Sequence, residues 1–145
     1  MAYPKRGPEV FEMIEEFGES KNKSSRLEIL NKYSDVQAFK DVLRGTFDDS
    51  LEFLLPEGKP PFTPNEERSI PSTLLRNHKM FGYFVKGGPG TDLPAFRREK
   101  KFIELLESIH PKDADLVISM VAKKSPIKFL TKKLVQEAFP DLIRK

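Results

Sequence analysis

Five prolines fall between residues 56 and 71, at positions 56, 60, 61, 64 and 71. Each removes a backbone N–H and pushes the preceding residue out of the helical region. No long helix can cross this stretch. It reads as an extended loop over about residues 55–71, lying across the body and pinned by Leu54, Leu55 and Phe62. The segments on either side carry apolar residues at helical spacing, so the prolines divide a helical protein into two parts.

In the first part, Pro8 suits a first helical turn and Glu9 suits the positive end of a helix dipole. Val10, Phe11, Met13, Ile14 and Phe17 then recur at helical period, and Gly18 ends the run. "ESKNKSS" reads as a turn in which Ser24 or Ser25 caps the next helix, with Leu27, Ile29, Leu30 and Tyr33 as its apolar stripe. A third helix begins near Ser34-Asp35 and places Val36, Phe39, Val42, Leu43 and Phe47 on one side. Gly45 is poorly suited to its interior.

Beyond the prolines, Ser72 to Val85 regains a helical pattern, and "KGGPGTDLP" breaks it with a glycine-rich turn. No strand precedes that turn, so it lacks the setting of a phosphate-cradling loop. From Pro94, Phe96, Phe102, Ile103, Leu105, Leu106 and Ile109 line one face of a helix. Arg97, Arg98, Glu99, Lys100 and Lys101 supply the other. Pro111 starts the next helix, with Asp113 and Asp115 early, where the dipole favours acids, and Lys123 and Lys124 at the end, where it favours cations. Ser125-Pro126 breaks the chain again. Thr131 caps a last helix that buries Leu134, Val135, Ala138 and Phe139 and stops before Pro140. The expected fold is all-α, a single domain over residues 1–145 with about seven helices.

Composition removes several function classes. There is no cysteine, so disulfides, thiol catalysis and cysteine-ligated zinc are out. No apolar run approaches the roughly 20 residues of a membrane span, and "MAYPKRGPEV" lacks the apolar stretch of a signal peptide. An intracellular location is expected. The net charge of +3 is lopsided: residues 1–75 carry −4 and residues 76–145 carry +7. Such asymmetry marks either an electrostatic footprint or an unevenly solvated surface.

No catalytic constellation stands out. His78 and His110, the only histidines, have no ligand-spaced His, Cys or acid on the same helical face. His78 reads as a partly exposed helix residue and His110 as a helix-end residue. Asp48-Asp49 reads as a turn or cap, and no nucleophile elbow surrounds any serine. A non-enzyme without metal or cofactor is expected.

The closing stretch "LTKKLVQEAFPDLI" resembles the end of the N-terminal DNA-binding domain of ATP-dependent DNA ligases. That domain closes on G-V-S, a short helix with Asn, and V-F/W-P-G-L-I. Thr131 stands at the Ser, and Phe139, Pro140, Leu142 and Ile143 fall on their counterparts. "RREKKFIELLESIHPKDADLVISMVAKK" is similar to the ligase helix leading into L-L-x-x-L-x-P-x-D-A-x-L-L. "KSSRLEILNKYSDVQAFKDVLRGTFDDSLEFLL" resembles the preceding order of helices. The likeness runs loosely over residues 9–143 and is most specific in the last 50 residues. "LLPEGKPPFTPN" also looks like small proteins of T-even-like phages and cyanophages. Three departures fall in the closing pattern: Phe129 stands at the glycine, Gln136 at the Asn and Asp141 at the glycine after Pro. The chain ends where a ligase begins its nucleotidyltransferase domain, and it has no K-x-D-G motif, so ligase chemistry is not expected.

The resemblance implies an all-helical body that grips double-stranded DNA through phosphates and the minor groove. Its residues here would be Arg97, Arg98 and Lys101 on one helix, joined by Lys123, Lys124, Lys128, Thr131, Lys132 and Lys133, with Lys100 nearby. About six phosphate contacts would give a log–log salt slope near −5. It also implies the cytoplasm of a phage-infected bacterium as the setting. Bland readings stand beside these: Lys123 and Lys124 as complements to a helix end, Arg97 to Lys101 as a solvated face. The rival role is an adaptor that keeps the fold and docks on a replication, transcription or host protein. Phe129 in place of glycine and the acidic first half favour that version.

Overall fold

A computed structural model describes residues 8–56, 60–63 and 74–143. Among these the protein is all-helical. Its α-helices are α1 (Val10–Gly18), α2 (Lys23–Lys32), α3 (Gln37–Phe47), α4 (Leu74–Asn77), α5 (Ala95–Ser108), α6 (Pro111–Val121) and α7 (Lys132–Ala138), with a 3-10 helix, His78–Phe84, between α4 and α5. No helix among the described residues is long and apolar enough to cross a membrane.

The apolar spacing places the core where the helical period requires. Val10, Met13, Ile14 and Phe17 of α1 are buried, as are Phe39, Val42 and Leu43 of α3. Phe102, Leu105 and Leu106 of α5 meet Leu116, Val117 and Met120 of α6 in the same core. Phe84 and Phe102 meet edge-to-face at 5.3 Å, a geometry worth about 1 kcal/mol beyond their burial. Helix α6 is central, touching α1, α3 and α5, while α7 lies against α2.

Gly45 sits inside α3 because α6 runs against it. A β-carbon there would fall 2.5 Å from the buried Met120 Sδ and 3.2 Å from Phe53 Cζ. The N-cap of α2 is Asn22 rather than Ser24 or Ser25; its side chain accepts the Ser25 N–H at 2.9 Å, so Ser25 donates to the cap.

The expected helix over Ser72–Val85 is split. Its described part is one short α-helix followed by the tighter 3-10 turn. The glycine-rich turn folds back on that segment so closely that a β-carbon on Gly90 would lie 2.0 Å from the Tyr83 carbonyl oxygen. Phe96, expected in the core, is 66% exposed, because the first turn of α5 extends past the body.

After α3 the chain runs extended. The Leu54 N–H donates to the Phe84 carbonyl at 2.7 Å and the Lys86 N–H to the Glu52 carbonyl at 2.8 Å. Phe53 and Val85 thus form an isolated antiparallel bridge. Leu55 and Phe62 pack on the core, as expected for the loop. Residues 57–59 and 64–71 of that loop, and Ser72, lie outside the described residues.

Candidate nucleic-acid interface

The connection from α6 to α7 begins with Lys123, whose φ of +59° places it in the left-handed region. Its N–H donates to the Met120 carbonyl and the Lys124 N–H to the Ser119 carbonyl, a pairing that closes a helix when the intervening residue is left-handed. Glycine is the usual occupant. A lysine is useful here because its side chain crosses to the end of α3. Lys123 Nζ donates to the Gly45 carbonyl at 2.7 Å and the Asp48 carbonyl at 2.8 Å, and lies 5.1 Å over the Phe53 ring. Burial pulls its ammonium below the usual lysine range, with Asp48 and Asp49 pulling the other way. Lys123 therefore caps α3, with two of its three ammonium donors spent on those carbonyls.

The loop beyond it is wound by Ser125, whose hydroxyl makes 2.9 and 2.6 Å contacts to the Ile127 and Leu130 carbonyls. Ile127 packs against Gly18 and Leu130 is buried. Between them Phe129 has φ +71° and is 55% exposed. The Arg26 guanidinium of α2 lies 4.0 Å over its ring, and Lys128 Nζ lies 5.4 Å from the ring centre. Lys124, Lys128 and Lys133 are exposed and make no ion pair among the described residues. Thr131 caps α7, accepting the Leu134 N–H at 3.2 Å. From Ala122 to Gln136 the sequence has five lysines and no acid.

Lys132 is engaged: it pairs with Asp49 at 2.9 Å and holds that carboxyl below the usual carboxylate range. Asp48 is buried and folds a turn onto Ser50, accepting its N–H at 2.9 Å and its hydroxyl at 2.6 Å.

The second basic group occupies the start of α5. Arg98 is spent on structure, donating to the Leu54 and Leu93 carbonyls at 2.9 Å each and to the Gly90 carbonyl at 3.3 Å. Lys101 Nζ lies 5.1 Å over the Tyr83 ring. Arg97 and Lys100 are exposed. Lys123 and Arg98 grip opposite ends of one strap, residues 48–54, which runs from one basic group to the other. The strap between them carries Asp49 and Glu52, the latter 3.8 Å from Lys86. The cations therefore form two patches with carboxylates between them, and Arg98 and Lys123 face inward.

His78 is buried, not partly exposed, and its Nδ1 lies 2.5 Å from Asp41 of α3, which also accepts from Gln37. His110 is the N-cap of α6; its Nδ1 accepts the Lys112 N–H at 3.0 Å and its ring stacks on Phe11. No group of three or more His, Asp or Glu among the described residues is placed to hold a metal ion. The site residue that spacing missed is Arg26, ninety-eight positions before Lys124. No local signal in the sequence links it to Phe129.

A protein-family description, "Family of unknown function (DUF6433)", matches residues 13–126. The match runs from α1 to the start of the basic loop. No curated protein matches the chain.

Proposed function

The chain belongs to DUF6433, a family of unknown function, and from that footing we propose that it is a non-catalytic module binding the phosphate backbone of double-stranded DNA with little sequence selectivity. The observation that carries this is the α6–α7 connection: an acid-free run of five lysines, three of them exposed and unpaired among the described residues. Lysines of this kind attract phosphates and release counterions without reading bases. The likeness to the ligase DNA-binding domain supports the same reading, as does the +7 charge of residues 76–145.

Anisotropy titration of a short labelled duplex over a salt series tests it. Contacts from Lys124, Lys128 and Lys133 alone give a log–log slope near −3; recruitment of Arg97, Lys100 and Lys101 moves it toward −5. Charge reversal by Lys124→Glu, Lys128→Glu and Lys133→Glu together should abolish binding. Binding that survives this triple reversal, or that is no tighter than binding by an acidic control protein, refutes the proposal.

One feature favours a second reading, an adaptor that docks on a replication, transcription or host protein. Phe96 projects from α5 with 66% of its surface exposed, a large apolar side chain left on the surface. A stoichiometric protein partner that survives nuclease treatment and is lost with Phe96→Ala would support this role.

A further inference from the structure

Phe129 is held out of the core at a backbone angle that disfavours it. A bulky side chain at φ +71° is in the left-handed region that glycine adopts without steric cost. The loop has apolar anchors already in Ile127 and Leu130, which point inward. Phe129 lies between them in sequence and remains 55% exposed. Its ring is braced: the Arg26 guanidinium stacks at 4.0 Å, and Arg26 makes no ion pair among the described residues. The result is an exposed aromatic surface with Arg26 over its ring and Lys128 5.4 Å from the ring centre, in a connection that also carries Lys124 and Lys133 and no acid.

A surface that only neutralised phosphates would have no use for an exposed ring in a strained conformation. An apolar protein partner would not require an acid-free setting. A polyanion with free π faces fits both features, because bases stack on aromatic side chains whatever their sequence. We infer that Phe129 stacks an unpaired base, so that the protein prefers DNA with a gap or single-stranded end to a continuous duplex. The inference rests on the backbone-binding reading and names the DNA structure that this site selects.

The test compares two probes on the full chain: an intact duplex, and the same duplex with an unpaired 2-aminopurine opposite a single-nucleotide gap. The gapped probe should bind about tenfold more tightly, and stacking should quench the 2-aminopurine emission. Phe129→Tyr keeps the ring and should retain both effects. Phe129→Leu should lose both the gap preference and the quenching, with circular dichroism confirming that each variant is folded. Equal affinity for the two probes, or a gap preference that persists in Phe129→Leu, overturns the stacking role and leaves backbone binding standing. Failure to bind either probe at low salt overturns both.

Discussion

Asp113 lies where two helices begin, and asparagine would remove its charge while nearly keeping its shape. It occupies the first turn of α6 and is fully buried. Its Oδ1 accepts the Phe11 N–H from the first turn of α1 at 2.9 Å, and its Oδ2 has no hydrogen-bond partner. Burial pushes its carboxyl up to about 7 from an ordinary 3.8; the Phe11 N–H resists, and the charges of Glu9 and Glu12 add to the rise. That gap corresponds to roughly 4 kcal/mol between the two protonation states. The dipoles of α1 and α6 favour the anion by about 1 kcal/mol, which leaves burial dominant at roughly 3 kcal/mol.

The folded state thus holds this proton more tightly than the unfolded state. The associated stability is fully present below pH 3.8, falls as pH rises, and is gone above about pH 7. In Asp113→Asn the side-chain oxygen can still accept from Phe11, and no charge forms at any pH. The new amide N–H is unpaired, which offsets about 1 kcal/mol of the gain. The variant should therefore exceed wild type by about 2 kcal/mol at pH 8, a shift of roughly 5 °C in melting temperature, and by only about 0.5 kcal/mol at pH 5, where the wild-type carboxyl is still mostly protonated in the folded state. Thermal melts followed by far-ultraviolet circular dichroism at the two pH values give the difference directly. Taking wild type minus variant cancels the contributions of every group the two proteins share. An equal difference at pH 5 and pH 8 would refute the argument, showing that no charge is being buried at Asp113.

Lys123→Ala leaves the Gly45 and Asp48 carbonyls without their charged donor and should destabilise the fold by about 2 kcal/mol in urea unfolding. Gly90→Ala drives a β-carbon into the Tyr83 carbonyl, a backbone atom that cannot swing aside, and should cost about 3 kcal/mol in the same assay. Asp49→Asn frees Lys132 and removes a carboxylate from the strap. Under the DNA-binding reading it should tighten duplex binding several-fold at low salt and steepen the salt slope by about 1, measured by anisotropy.

Local features were legible because their causes are local. The stripe from Val10 to Phe17, Pro111 at the start of α6 and the Thr131 cap follow from helical period and the orphan groups of helix ends. The misses trace to contacts between distant segments. "KNKSS" reads with Ser24 or Ser25 as the cap, whereas Asn22 takes that place; all three side chains can accept there, and local chemistry does not choose among them. The period of α5 marks a face along its whole length, yet the body ends before Phe96. The tight passage of the glycine turn over Tyr83 turns an α-like pattern into a 3-10 helix. His78 lies 37 positions from the Asp41 that pairs with it. In the site, the supply of lysines and arginines was legible and their employment was not. Arg98 is taken by carbonyls of three loop residues, Lys123 by the end of α3 and Lys132 by Asp49, all set by where α3 and the strap meet α5 and α6.

The latch at Lys123 gives this end of the molecule a built-in reporter. Amine-reactive reagents can reach Lys124, Lys128 and Lys133 on the closed protein, since all three are exposed. The Lys123 amine is occupied by two carbonyls until the front of the chain lets go. Acylation at that one position, followed by peptide mass, would therefore count how often α3 and α6 part company, while its three neighbours serve as internal clocks for the reagent itself.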